Sequence, residues 1–414
     1  MREPLINWAG NVTYRAARVH RPTSLDELRR VVAGAERLRA FGTGHSFNRL
    51  ADSDAEMVSV AGLPGGIELD TAGGAVRVPA GVRYGELATW LDAAGFALRN
   101  LASLPHISVA GAVATGTHGS GVGNGNLATA VTGIELVRAD GELATLRRGD
   151  DGFAGAVVSL GALGVVTALT LEIVPTYQVR QLVYEDLPQA AFVENFDEVM
   201  SAAYSVSAFT SWSGPVIDQV WRKHVDVPEI EESWWGGHPA AEARHPIATV
   251  AADACTEQFG VPGPWHERLP HFRLEFTPSA GDELQTEYFV DRADAATALR
   301  ALDGCRELIA PILQVSEIRT IAADDLWLSP CEGRDSVAIH FTWVRDAAAV
   351  EAVLPVLEEV LAPLAARPHW GKVFTMAPEV VRERYRRITD FDALVRDLDP
   401  AGKFRNEFLD RYLG

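Results

Sequence analysis

The chain has 414 residues, and 37 lysine and arginine side chains against 56 aspartate and glutamate side chains give a net charge of −19. Its hydrophobic content of 47% is that of an ordinary globular protein, and the acidic balance argues against a nucleic-acid partner or binding to anionic membranes. The sequence has neither an apolar run of about 18 residues nor a secretory-signal pattern, so we expect a soluble, monomeric protein of the cytoplasm.

The first half of the sequence predicts short strands between helices. Ser24 and Glu27 form a capping box, and the apolar residues from Leu25 to Leu38 follow helical spacing. A short apolar strand from Leu38, which breaks into a glycine-rich turn, is predicted next. The later patterns predict strands over 57–60, 67–70 and 75–80, a helix over 84–95, a hairpin over 133–146 with its turn at Asp140-Gly141, and a β-rich segment over 161–175.

From about Val179 the pattern changes to longer strands with helices between them. Alternating polarity predicts strands over 271–279, 284–292, 313–322 and 336–344, with helices over 294–304 and 347–364 and a helical tail after 377. Strands and helices that do not alternate strictly predict an α+β domain built on an antiparallel sheet.

Several common site motifs do not match. The glycines of GVGNGN at 121–126 do not have dinucleotide-binding spacing, and no helix pattern follows them. His266 and His271 are five residues apart with Pro270 between them, so they cannot share a zinc-binding helix face. The three cysteines are odd in number and widely spaced, which predicts neither a disulfide framework nor a metal site.

The segment Phe41-Gly42-Thr43-Gly44-His45-Ser46 is a first candidate ligand site. Two glycines allow backbone N–H groups to converge on one point, which suits a pyrophosphate, and the hydroxyls add donors. A plain tight turn with a surface histidine explains these residues equally well.

The segment 103–119 is a second candidate, because it consists almost entirely of small residues with hydroxyls and two histidines, His106 and His118. Such a segment lets backbone approach an extended ligand along its whole length. It is too apolar for a solvent loop and too poor in side-chain volume for a packed strand.

The two segments occur in an order typical of one family. The GTGHS turn at 42–46 follows the first helix, GTHGSG at 116–121 ends the small-residue segment, and ALGVVTALTLEIVP follows at 162–175. HWGK at 369–372 and DPAGKF at 399–404 lie near the C-terminus. Together these motifs resemble the vanillyl-alcohol-oxidase-type FAD-binding flavoproteins, and within them the alditol oxidases, nearly end to end.

The resemblance implies a set of FAD-binding residues, with His45 carrying the flavin covalently through its 8α-methyl group. Ser103 is expected beside the flavin ring, and Val165 is expected to contact the cofactor through its backbone. The cofactor-binding residues implied are Ala40, Phe41, Gly42, Thr43, Gly44, His45, Ser46, Ser103, Ser108, Gly111, Ala112, Val113, Ala114, Gly116, His118 and Val165.

Strand periodicity also predicts a polar wall in the second half. Glu317 and Arg319 are two residues apart and project from one strand face, as do His340 and Thr342 on another strand. A solvated sheet face is the alternative on the residues alone. The resemblance favours a substrate site. It implies that the substrate-binding residues are Ser103, Glu317, Arg319, Thr342 and Lys372.

A polyol hydroxyl is both donor and acceptor, so a carboxylate, a guanidinium, a hydroxyl and an ammonium can each bind one. The catalytic residues we predict are Arg319 and Lys372, as cations near the developing alkoxide, and His340 as the base, with Lys372 as the rival base. Ala102 lies where related flavoproteins control oxygen access. Its small side chain leaves open whether O2 or another acceptor takes the electrons.

The sequence therefore predicts a two-domain α+β flavoenzyme. Residues 1–178, joined by the tail 376–414, are expected to bind FAD, and residues 179–375 to form a substrate-binding cap. The expected reaction is oxidation of a terminal alditol hydroxyl, with O2 reduced to H2O2. Three alternatives stay open: a sugar-lactone oxidase or dehydrogenase, a flavin subunit without its own turnover, and an NADPH-dependent reductase.

Overall fold

The structure is a computed structural model that describes residues 4–276 and 281–414. The first part of the chain forms small sheets flanked by short helices. Its elements are β1 (Arg18–His20), α1 (Leu25–Gly34), β2 (Leu38–Ala40), β3 (Glu56–Val58), β4 (Glu68–Asp70), β5 (Ala75–Pro79), α2 (Tyr84–Ala93), β6 (Phe96–Ala97), α3 (Val109–Ala114), β7 (Val131–Val137), β8 (Leu143–Arg147), α4 (Phe153–Val157), β9 (Val165–Glu172) and β10 (Val174–Pro175).

The remaining elements build a larger antiparallel sheet and a helical tail. They are β11 (Gln178–Pro188), α5 (Gln189–Glu194), α6 (Phe196–Met200), β12 (Ser205–Thr210), β13 (Val216–His224), β14 (His238–Pro239), β15 (Gly263–Pro264), β16 (Glu283–Asp291), α7 (Ala295–Asp303), α8 (Arg306–Ile309), β17 (Leu313–Ile321), β18 (Ser336–Val344), α9 (Ala347–Leu361), β19 (Arg367–Pro368), α10 (Pro378–Glu383), α11 (Ile388–Leu398) and α12 (Glu407–Tyr412).

The first helix begins as predicted but ends earlier. Ser24 Oγ accepts a hydrogen bond from the Glu27 backbone N–H at 3.2 Å, and Leu28 and Val32 are fully buried one turn apart. The helix stops at Gly34 because Ala35 is extended, and Leu38 begins β2 instead of adding a turn. The helical spacing therefore ends before Ala35, and the predicted short strand from Leu38 is confirmed as β2, where Leu38 is buried through parallel pairing with β3.

The strands before β11 form small sheets, and those from β11 onward form a separate, larger sheet. β1, β3 and β2 form a parallel sheet, and β4, β5, β9, β7 and β8 form an antiparallel one that includes the predicted hairpin. Its turn residue Gly141 has φ +83°, which glycine adopts without steric cost. From β11 onward, within the described residues, the strands join one sheet in the order β14-β11-β13-β12-β17-β18-β16-β19, with β15 paired to β11 off this path. The predicted α+β fold with an antiparallel second sheet is confirmed.

One predicted strand is absent from the described part of the chain. Residues 271–276 of the predicted strand 271–279 form a bend, and 277–280 lie outside the described residues. The backbone N–H groups of His271 and Phe272 donate to the Ser103 carbonyl at 3.0 and 3.3 Å rather than to a neighbouring strand. The segment therefore joins the small-residue segment 103–119 instead of the sheet.

The large sheet has one apolar face and one polar face. Val337, Ile339, Phe341 and Trp343 of β18 are fully buried in the main core, and the rings of Phe341 and Trp343 stack at 5.0 Å. Side chains on the opposite face point into a cavity that the first part of the chain closes. Over residues 4–276 and 281–414, no helix is long and apolar enough to cross a bilayer. The domain limits at 178 and 375 stay predictions.

Candidate active site

A cavity of about 530 Å³ lies between the segments 40–47 and 102–118 on one side and the polar face of the large sheet on the other. The structure therefore brings the two candidate ligand segments and the polar wall together. The predicted site residues on its lining are Ala40, Phe41, Gly42, Thr43, Gly44, His45, Ser46, Ser103, Ser108, Gly111, Ala112, Ala114, His118, Glu317, Arg319, His340, Thr342 and Lys372.

Three predicted cofactor residues are not on the lining. Val113 is 2% exposed and Val165 is fully buried, so both side chains belong to the apolar core. Gly116 has φ +67° and lies against Pro330, where an added methyl group would come within 3.1 Å of the proline ring. Residues on either side of each of them line the cavity: Ala112, Ala114, Thr115, Thr117, Gly164 and Val166.

The turn 40–47 and the segment 102–118 interlock through close backbone contacts. A methyl group on Gly42 would lie 2.3 Å from Ser108 Oγ, and Gly44 has φ +72°, so both positions favour glycine. Thr43 Oγ1 accepts a hydrogen bond from the Ser108 N–H at 3.3 Å and lies 3.0 Å from His45 Nδ1. This wall is mostly backbone, which suits close approach of an extended cofactor.

The imidazole of His45 lines the cavity and is partly buried. The indole of Trp8 stacks on it with ring centroids 5.2 Å apart. Burial, with a contribution from the charge of Lys372, lowers the pKa of His45 to about 4. The ring is therefore neutral at pH 7, and one of its nitrogens holds an unshared electron pair.

The polar wall results from the register of three adjacent strands. Glu317 of β17 and Glu287 of β16 both pair with His340 of β18, so the three side chains form one row across the sheet. Thr342, two residues beyond His340, pairs with Gln285 in the same way. All five side chains line the cavity because alternate residues of a strand share a face.

Arg319 and Glu287 form the charged centre of this wall. Arg319 Nη2 donates to Glu287 Oε1 at 2.7 Å, and Arg319 Nη1 donates to Ser103 Oγ at 3.3 Å. His118 Nε2 lies 3.2 Å from the same Glu287 oxygen. Burial opposes ionisation of Glu287, but His118 and Arg319 outweigh it and hold the pKa of this carboxyl well below its usual range.

Lys372 and His340 supply the remaining titratable groups near the wall. Lys372 Nζ donates to Gln285 Oε1 and lies 5.1 Å from the ring centre of Phe47. Burial lowers the pKa of Lys372 to about 8, with Glu287 opposing the shift. His340 Nε2 lies 3.1 Å from Thr342 Oγ1, and burial, with the charge of Lys372, lowers the pKa of His340.

Sequence reasoning missed Glu287 and Gln285, as well as His271, which lines the cavity beside Glu317. Period-two alternation in LQTEYFVDR places Gln285 and Glu287 on one strand face, so the signal for these two was present. His271 lies on a bend, where no period indicates the direction of its side chain.

Two family models match the chain. Residues 16–147 match the FAD binding domain, and residues 282–412 match D-arabinono-1,4-lactone oxidase. The solved cholesterol oxidase from B. sterolicum superposes with a TM-score of 0.81 at 17% identity, covering 100% of this chain and 97% of that one. The fold is thus that of the FAD-binding flavoproteins of the vanillyl-alcohol-oxidase type.

Two curated relatives cover almost the whole chain. An alditol oxidase from Streptomyces sp. (strain IKD472 / FERM P-14339) is 53% identical over 99% of each chain. An L-gulono-1,4-lactone dehydrogenase from Mycobacterium tuberculosis is 30% identical over 99% of this chain and 98% of its own. The chain belongs to the alditol oxidase family of FAD-dependent oxidoreductases.

Proposed function

We propose that the protein oxidises a terminal primary hydroxyl of an alditol such as xylitol or sorbitol to the aldose, with O2 reduced to H2O2. The observation that carries this proposal is the row of acid, base and amide side chains on β16, β17 and β18, which faces the glycine-rich cofactor wall across one cavity. A row of mixed donors and acceptors matches a chain of hydroxyl groups.

FAD suits the opposite wall, because its lining residues from Ala40 to Ser46 and from Ser108 to His118 are mostly glycine, alanine, serine and threonine, which let a cofactor approach the backbone. The turn Ala40–Ser46 and the segment Ser108–His118 would hold its pyrophosphate and ribityl parts. When bound, FAD accepts a hydride from the alcohol carbon and passes the electrons to O2. Ala102 lines the cavity beside Ser103, and the similarity to an alditol oxidase favours O2 as the acceptor.

We propose that His45 attaches the flavin covalently. A neutral imidazole is required for bond formation, and the depressed pKa of His45 provides it at pH 7. The hydrogen-bond contact between Nδ1 and Thr43 Oγ1, together with stacking on Trp8, fixes the ring plane. A covalent link prevents loss of the cofactor.

Ser103, Glu317, Arg319, Thr342 and Lys372 would bind the hydroxyl groups of the substrate. Arg319 already donates to Ser103 Oγ, so these two side chains are held at the cofactor side of the cavity. A site built to hydrogen-bond hydroxyls rejects ligands without them, because its buried polar groups would be left unpaired. This supports a polyol rather than an apolar alcohol.

Within this arrangement His340 is the base that removes the hydroxyl proton, and Arg319 and Lys372 stabilise the developing alkoxide charge. The lowered pKa of His340 leaves the ring neutral near pH 7. Lys372 carries its proton below about pH 8, so both groups are in the required state together. We further propose a cytoplasmic monomer without a nucleic-acid or membrane partner, consistent with the net charge of −19.

Anaerobic reduction of the purified flavoprotein tests the proposal. Xylitol is expected to bleach the flavin and, in air, to release one H2O2 per xylitol consumed, whereas L-gulono-1,4-lactone is expected to react far more slowly. Faster bleaching by the lactone would favour the sugar-lactone alternative. Bleaching by neither polyol nor lactone would contradict the proposed function.

A further inference from the structure

Two further buried side chains lie next to Glu317, and one of them, His271, also lines the cavity. Lys223 of β13 is 1% exposed, and His271 on the bend after residue 270 is 5% exposed. Lys223 Nζ lies 3.0 Å from His271 Nδ1, and His271 Nε2 lies 2.8 Å from Glu317 Oε1. The three side chains therefore form a continuous chain of contacts that ends at the cavity.

The donor count fixes the direction of each hydrogen bond. In its ammonium form, which it holds below about pH 7, Lys223 has three N–H donors and no acceptor, and its Nζ has three acceptors in the Leu269 carbonyl, the Pro270 carbonyl and His271 Nδ1. His271 Nδ1 therefore accepts. The single proton of a neutral ring is then on Nε2, which donates to Glu317.

Packing and backbone contacts hold the imidazole in this orientation. Phe209 and Trp221 contact it edge to face, with ring centroids 5.5 and 5.1 Å away. Its own backbone N–H donates to the Ser103 carbonyl. Because Arg319 contacts both Ser103 Oγ and Glu317 Oε1, the last at 3.6 Å, the contacts close into a ring around the substrate side of the cavity.

We infer that Lys223 and His271 are positioning residues, which orient the Glu317 carboxylate so that its second oxygen accepts a hydrogen bond from a substrate hydroxyl. His271 and Arg319 both contact Oε1, and Glu317 lines the cavity, so Oε2 is the oxygen left for the substrate. The inference rests on the proposed function, because it assumes that Glu317 binds the polyol.

Between about pH 4 and pH 7, the charges of Lys223, His271 and Glu317 agree with these roles. Burial, with the charge of Lys223, lowers the pKa of His271 to about 4, so the ring carries one proton at pH 7. Burial also lowers the pKa of Lys223 to about 7, opposed by Glu317 and Cys255, while Arg319 adds to the lowering. Burial opposes ionisation of Glu317, but Arg319 and His271 outweigh it and lower the pKa of this carboxyl.

Two substitutions at His271 separate positioning from packing. Glutamine places an amide N–H near the position of Nε2, whereas asparagine is too short to reach Glu317. In anaerobic stopped-flow reduction, His271→Asn is expected to raise the Kd for xylitol about 10- to 100-fold, the range for a hydrogen bond to a charged group. The limiting reduction rate should change by only a few fold, and His271→Gln should recover most of the affinity. His238→Asn, at an exposed histidine, is the control.

Equal loss in His271→Asn and His271→Gln, or wild-type affinity in both, would overturn the inference. If His271→Asn does not fold, histidine-selective ¹⁵N NMR of the intact flavoprotein measures independently which ring nitrogen of His271 carries the proton. We expect the His271 signals of a ring protonated at Nε2 alone, and protonation at Nδ1 overturns the assignment. A wild-type protein that no polyol reduces would refute the proposed function while leaving this tautomer measurable.

Discussion

Arg319 Nη2 lies 2.7 Å from Glu287 Oε1, and both side chains are almost completely shielded from solvent. Burying two charges costs several kcal/mol per ion unless both are paired and hydrogen-bonded. Glu287 also contacts His118 and His340, and Arg319 also reaches Ser103, so this pair connects the strand wall to the small-residue segment. The charged centre of the cavity therefore also holds the large sheet and the segment 103–119 together.

Removing the Glu287 charge should destabilise the whole protein. Glu287→Gln leaves the buried guanidinium of Arg319 without its hydrogen-bonded carboxylate, with Glu317 3.6 Å away, and we expect a loss of about 3–5 kcal/mol in unfolding free energy. Chemical denaturation measures this loss. Glu172→Gln is the matched control, because the Arg148–Glu172 pair has both side chains 46% exposed and should change stability by about 1 kcal/mol or less. Similar losses in the two variants would contradict the buried-pair argument.

Lys372→Ala should slow flavin reduction and leave the cofactor attached. The ammonium supplies positive charge where the alkoxide develops, and removing one such group costs about 10²- to 10³-fold in rate. Anaerobic stopped-flow mixing with xylitol measures the reduction rate, and the colour of acid-precipitated protein reports attachment. Reduction at the wild-type rate would exclude this role for Lys372.

The pH dependence should distinguish the two candidate bases. With His340 as base, the reduction rate falls on acidification as His340 gains its proton, and falls above about pH 8 as Lys372 loses its own. The profile is then bell-shaped, and its alkaline limb should be missing in Lys372→Ala. A rate that instead rises through pH 8 assigns the base to Lys372.

His45→Ala should release the flavin on denaturation. Without the imidazole no bond to the 8α-methyl group forms, so acid precipitation should give a colourless pellet and free FAD in the supernatant. The wild-type pellet should be yellow, with the flavin mass on the tryptic peptide that carries His45. His106→Ala is the control. Its ring lies off the cavity lining and contacts the Leu274 carbonyl at 2.8 Å, so its pellet should stay yellow.

Gly42→Ala should lower the FAD content of the purified protein. The added methyl group would lie 2.3 Å from Ser108 Oγ, which forces the turn and the segment 102–118 apart. Gly42→Ala combined with Ser108→Ala should recover much of the flavin, because the clash involves that hydroxyl. The ratio of absorbance at 450 and 280 nm measures the content. Gly34→Ala, with no atom within 4 Å, should have no effect, and an unchanged ratio in Gly42→Ala would count against the interlocked wall.

The order of motifs along the sequence predicted the FAD-binding fold and its glycine-rich wall. Strand period alone predicted that Glu317 shares a face with Arg319, and His340 with Thr342, and the structure places both pairs on the cavity. These features depend on neighbours in the chain, where two-residue and helical periods are fixed by backbone geometry.

Only the tertiary structure decided which strands are adjacent. The order β12-β17-β18-β16 brings Glu287 and Glu317 to either side of His340, and the bend at His271 places its ring between Lys223 and Glu317. It also ended the first helix at Gly34, because Leu38 is buried by pairing with β3. Such contacts join residues far apart in the sequence, so no local period predicts them. Which strands pair depends on how the whole hydrophobic core is buried.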